Sequence, residues 1–153
     1  MRQRRKNLLK YAKKIDCDTL VTFEPENLFY MTGFWGEAIG LLEKNGKTTI
    51  IAPELEVGRA KDESEDCDVI TAERGSGLIS TLIEKIKKNY VCTDCQNYST
   101  MLSLKKSVSH LKSSTEPTIP HGFLPSDISP YPVIPESVII SVNCQGLQPA
   151  STT

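Results

Sequence analysis

No stretch of this 153-residue chain approaches the ~18–20 consecutive apolar residues needed to span a bilayer. Nor does an apolar core of about 7–15 residues follow the basic start, which argues against a secretory leader. Histidine is scarce: His110 and His121 are the only two, both late, so no Ser/His/Asp set is credible. Excess charge of one sign is also missing. Eighteen Lys and Arg against nineteen Asp and Glu leave a net charge of −1, which argues against nucleic acid or an acidic membrane surface as the main partner. Five cysteines are few and odd in number, so reduced thiols in a cytoplasmic protein are the expectation. Lysine and arginine vanish altogether after residue 112, while seven of the nine prolines fall beyond it.

That last contrast divides the chain into a globular domain over 1–112 and a Pro-rich, Lys/Arg-free tail over 113–153. Pro120, Pro125, Pro130, Pro132 and Pro135 forbid a regular helix there, because proline lacks an N–H donor and fixes φ. The tail is expected to be mostly irregular, with one possible strand over 137–143. In the domain, Leu8, Leu9, Ala12 and Ile15 recur at helical spacing within an acid-free segment of seven basic residues over 2–15. A surface helix with a basic polar face is the preferred reading, and a mitochondrial transit peptide the alternative. Strands are predicted over 18–23, 38–43, 48–52, 67–71 and 90–93, and helices over 25–31, 53–61, 76–88 and 97–107. Asn45-Gly46 predicts a type I′ hairpin turn, with two left-handed residues in succession. The alternation predicts an α/β fold, a three-layer sandwich whose mixed sheet is flanked by helices.

Several motif fragments do not carry chemistry. Gly46-Lys47-Thr48 resembles the end of a phosphate loop, but position 41 is Leu and a strand, not a helix, follows. Gly75-Ser76-Gly77 lies between a strand and a helix, but position 80 is Ser where a dinucleotide loop wants glycine. Cys92-Thr93-Asp94-Cys95 is a lone CxxC, readable as two ordinary thiols or as a small redox or zinc module. Asp16-Cys17-Asp18 and Asp66-Cys67-Asp68 repeat a tripeptide at two helix-to-strand junctions, where each Cys reads as a small buried residue. Glu54/Glu56 and the run Asp62, Glu63, Glu65, Asp66 read as solvated surface. Residues alone therefore give no catalytic constellation.

The segment Pro25-Glu26-Asn27-Leu28-Phe29-Tyr30-Met31-Thr32-Gly33-Phe34 is more specific. Its Asn27, Tyr30, Thr32, Gly33 and Phe34 resemble the Asn-x-x-Tyr-x-Thr-Gly-Phe segment of the creatinase N-terminal domain. That domain precedes the catalytic domain in Xaa-Pro aminopeptidases, prolidases and creatinases, and the element order resembles it over about residues 2–117. Physically, Asn27 is expected to satisfy free backbone N–H groups at a helix start, Gly33 to reverse the chain and Phe34 to re-enter the core.

The resemblance implies a non-catalytic domain for dimerisation and substrate gating. In the family, two divalent metal ions are held by Asp, His and Glu of a pita-bread catalytic domain, and none of those ligands maps onto this sequence. No catalytic, cofactor or metal residue is therefore assigned here, and the enzyme status is open: hydrolase by family, not on this chain alone. Implied partners are a second copy or a catalytic metallopeptidase domain, with proline-containing peptides only where that domain is present. An alternative is an active peptidase whose catalytic part is lost by a frameshift near Pro117 or by truncation. Trp35, Gly36 and Glu37, directly after the motif, are the candidate interface or gating residues; packing of Trp35 on the domain's own core is the competing expectation.

Overall fold

The computed structural model describes residues 2–86, 90–108 and 110–113. Eleven elements follow one another: α1 (Arg2–Lys14), β1 (Thr19–Thr22), α2 (Pro25–Thr32), β2 (Ile39–Glu43), β3 (Thr48–Pro53), α3 (Glu54–Glu63), β4 (Asp68–Ala72), α4 (Ser76–Ile86), β5 (Tyr90–Thr93), α5 (Tyr98–Ser107) and β6 (His110–Ser113). The six strands form one sheet in the order β4-β3-β2-β1-β5-β6. β2 runs antiparallel to both of its neighbours, and every other pairing is parallel. Five strands therefore point one way, and the start of β2 lies at their carboxyl ends.

Alternation along the strands makes the three layers. Val21, Leu41, Ile51 and Val91 face a core shared with Leu78, Leu82 and Ile86 of α4 and Met101 and Leu104 of α5. Leu20, Leu42 and Cys92 face the other way, onto Leu8 and Ala12 of α1 and Tyr30 and Met31 of α2. Ile50 and Ala52 join that second side, against Leu28, Phe34 and Ala60 of α3. The mixed sheet between helical layers is as the pattern predicts. Because α1 contributes Leu8 and Ala12 to the core, it is an integral element of this domain.

Two local details differ from expectation. The hairpin between β2 and β3 is not type I′. Gly46 alone is left-handed there (φ 89°), and the Glu43 carbonyl accepts from Gly46 N at 2.8 Å, the pattern of a turn followed by a glycine bulge. A strand, β6, follows α5 where the sequence reading placed none. Its four residues are too short to show an alternating pattern, and parallel pairing with β5 defines it. The strand predicted over 137–143, and the tail from residue 114 on, lie outside the described residues.

The tripeptide repeat has a backbone cause. Asp16 (φ 55°) and Asp66 (φ 50°) are the only left-handed non-glycine residues among those described. Each turns the chain out of a helix and into a strand, and aspartate tolerates this region better than most residues. Cys17 is buried behind its turn; Cys67 is half-buried.

Gly40 sits in β2 directly beneath α2. A Cβ there would collide with Met31 Cε and lie 2.8 Å from Leu28 Cδ1 and 2.9 Å from Thr22 Cγ2. Gly40→Val is expected to cost about 1–3 kcal/mol by overpacking. A lower urea midpoint at unchanged m value checks it; an unchanged midpoint would show that α2 yields freely.

Candidate functional site

The family-like segment forms α2 and the turn after it. Gly33 is left-handed (φ 83°) and its N–H bonds Phe29 O at 2.8 Å, closing the helix. Thr32 Oγ1 donates to Leu28 O at 2.7 Å and accepts from Phe34 N at 3.1 Å, which aims Phe34 into the core, where it is fully buried. Tyr30 is buried against α1 with the Arg4 guanidinium 5.3 Å from its ring centre, and burial pushes its phenol up.

Asn27 corrects an expectation. It does not cap its own helix; its Nδ2 donates to Asp94 Oδ2 at 2.8 Å. The Asp94 carboxylate also accepts from Thr22 Oγ1 and, at 2.7 Å, from Phe23 N. Asp94 therefore ties the end of β1 and the start of α2 to the end of β5. Burial pushes its carboxyl up, and these hydrogen bonds only partly oppose that.

The Cys92/Cys95 pair is not assembled as a redox or zinc module requires. Cys92 lies within β5, not at a helix N-terminus, and faces the α1–α2 core. Cys95 belongs to the α4–α5 core on the other side of the sheet. Both are buried, and burial pushes the Cys95 thiol up, the opposite of an activated thiolate. Among the described residues, no group of three or more His, Cys, Asp or Glu could hold a metal ion.

Trp35, Gly36 and Glu37 lie at the carboxyl edge of the sheet, where β2 begins. They form one wall of an open groove of about 510 Å³, with Phe23, Ile39 and Leu78 among its apolar lining. Trp35 is half-buried, its ring edge-on to the exposed Phe29 at 6.2 Å between centroids. Its carbonyl accepts from Arg59 Nη2 at 3.1 Å, and Arg59 also pairs with Glu56 and Glu63 of α3. Glu37 receives both arms of Arg74, which holds its carboxyl below the usual carboxylate range. Gly36 has no room for a side chain: a Cβ would meet the Phe34 ring and Glu56 Oε2 at 2.8 Å. Two ion-pair clusters thus hold a bare glycine between a tryptophan and a carboxylate. The sequence marks all three residues, but not the groove, because Phe23 and Leu78 come from distant elements.

The structure is thus a mixed α/β sandwich with an apolar groove at the edge where five of its six strands end. The family model of the Creatinase/Prolidase N-terminal domain matches residues 4–119, and the chain belongs to that family. No curated protein sequence matches. Among solved structures, the chain is similar to prolidase from Pyrococcus furiosus, with 24% identity and TM-score 0.58, over 69% of this chain and 31% of that one. It is also similar to the Creatinase/Prolidase N-terminal domain of an X-Pro dipeptidase from Streptococcus pyogenes (15%, TM-score 0.61), over 74% of this chain and 93% of that one. A third is Xaa-Pro dipeptidase from Bacillus anthracis (15%, TM-score 0.63), over 72% and 32%. The chain thus spans about a third of the whole peptidases and nearly all of the separate domain. At these identities the likeness carries the fold. No helix among the described residues is long and apolar enough to cross a membrane.

Proposed function

We propose that this chain serves a Xaa-Pro peptidase-type assembly as its non-catalytic N-terminal domain, supporting dimerisation and gating access of proline-containing peptides. The two divalent metal ions of the family would belong to a catalytic domain, not to residues of this chain. The carrying observation is the Trp35-Gly36-Glu37 loop, held by Arg59 and Arg74 beside an apolar groove at one edge of the sheet. A half-buried tryptophan over exposed Phe29 is the kind of rigid aromatic surface that anchors interfaces.

Sedimentation equilibrium of the intact chain tests this. The parent is expected to self-associate, and Trp35→Ala to weaken association by about 30-fold, the size of an aromatic hot spot. Circular dichroism confirms that the variant keeps its fold. A parent that stays monomeric, or a folded Trp35→Ala chain that associates as tightly, would remove the dimerisation role.

A further inference from the structure

A second pocket, open and of about 350 Å³, lies where α1 meets the β2–β3 hairpin and the turn before β4. Thr48 and Asp68 begin β3 and β4 there, so it sits at the opposite end of the sheet from the Trp35 groove. Arg2, Arg5, Lys6 and Lys47 line it, against the carboxylates of Asp66 and Asp68. Four cations thus face two carboxylates, an excess of two positive charges. Arg5 makes that excess unusual. It is buried, yet every partner it meets is neutral: the backbone oxygens of Met31, Glu65 and Asp66 and the Cys67 sulfur. A buried cation without a contacting carboxylate leaves a positive potential in the pocket that it lines. Arg2 reaches Asp66 only through Nε, at 3.5 Å, and Lys47 reaches Asp68 at 3.2 Å. Both pairs are solvent-exposed; such pairs contribute little and yield to a stronger anion. Lys6 is exposed and has no ion-pair partner among the described residues.

From this imbalance we propose that the pocket binds a phosphate dianion, free or carried as the monoester of a small molecule. A phosphate monoester carries about −1.5 to −2 charges at neutral pH, which matches the excess. Its oxygens offer strong acceptors to the Arg2 guanidinium and to two ammonium groups, and charge-assisted hydrogen bonds of this kind are the strong ones. The volume lies at the lower end of small-molecule sites, about 300–1,000 Å³, so room remains for an organic group beside the phosphate. Gly46-Lys47-Thr48 takes part without being a phosphate loop: Lys47 supplies a charge, and a strand, β3, follows where helix amides would cradle the ligand. The inference needs neither the Trp35 loop nor the assembly role.

Amide NMR of the isotope-labelled full-length chain tests it, with sodium phosphate compared against sodium chloride at equal ionic strength. Phosphate is expected to give saturating shifts at Lys6, Gly46, Lys47 and Asp68, and chloride none. Lys6→Gln and Lys47→Gln are each expected to weaken phosphate binding about tenfold, with the rest of the spectrum unchanged. Lys61→Gln, at an exposed lysine of α3 outside the pocket, is expected to bind as the parent does. Arg5 is left intact, because its fork joins three segments of the fold. Shifts that chloride reproduces, that do not saturate, or that Lys61→Gln weakens as much as Lys6→Gln would overturn the site. Glycerol phosphate is the second probe: tighter binding than inorganic phosphate assigns the pocket to a monoester, and weaker binding to the free ion. Sedimentation reports association of copies and these shifts report the pocket, so either idea fails visibly without the other.

Discussion

Replacing Arg5 with alanine is expected to destabilise the domain by about 3–5 kcal/mol, a large share of a small domain's stability. Arg5 is 7% exposed although it lies in the first turns of a basic helix. Its Nε donates to Met31 O at 3.0 Å, Nη1 to Asp66 O at 3.0 Å, and Nη2 to Glu65 O and, at 3.2 Å, to Cys67 Sγ. One planar fork thus joins α1 to the last turn of α2 and to the left-handed turn before β4. Removing it strands several partly or wholly buried acceptors, each costing about 1–3 kcal/mol when unsatisfied. Arg5→Met keeps much of the apolar stem and no donors, so it separates the two contributions. Urea denaturation of Arg5→Ala, Arg5→Met and Arg5→Lys checks the account. Met is expected to lose nearly as much as Ala, and Lys to recover only part, because an ammonium cannot fork. A Met variant as stable as the parent would show that the fork contributes little beyond its stem.

The same side chain marks where local pattern stops being informative. The sequence shows α1 as amphipathic and its basic residues as one solvated face. Helical spacing sets Arg5 on the stripe of Leu8, Leu9 and Ala12 and Lys6 off it, but what holds the guanidinium there is not legible locally, because its partners lie 26 to 62 positions away. Asn27 misleads for the same reason: a polar residue at a helix start suggests a local cap, but its partner is 67 positions distant. By contrast, the helices, the hairpin and five of the six strands were legible, since 3.6-residue and two-residue periodicities are local. The Trp35-Gly36-Glu37 loop was legible as a candidate through the motif before it. Its groove was not, since it needs the β1–β2 register and the start of α4. The left-handed state of Asp16 and Asp66 had a trace in the sequence, the repeated Asp-Cys-Asp, whose meaning is a backbone turn and not a ligand pair.

Loss of the Asp94 carboxylate is the second large effect. Asp94→Ala is expected to cost about 2–4 kcal/mol, because it leaves the buried Thr22 hydroxyl, the Phe23 N–H and the Asn27 amide without their shared acceptor. Asp94→Asn is milder and more informative, because it mimics the neutral acid. Burial raises the folded-state pKa of Asp94 above its ordinary 3.8, and neighbouring Glu24 is raised by its own burial and then by Asp94. Between the ordinary value and the raised one, the folded chain holds a proton that the unfolded chain has released. Stability from these groups is therefore full below about pH 3.8 and falls as the pH rises through their folded pKa values. Half-buried Asp18 and exposed Glu37, held low by Lys44 and Arg74, act in the opposite sense, but salt and solvent screen them. Comparing parent and Asp94→Asn across this range isolates the buried group. The variant's stability relative to the parent is expected to improve as pH rises above 3.8, and to level off once Asp94 in the parent is fully ionised. A stability difference that stays constant from pH 3 to pH 8 would mean that the three donors hold Asp94 ionised at its ordinary pKa. Desolvation would then not be the dominant influence at this junction.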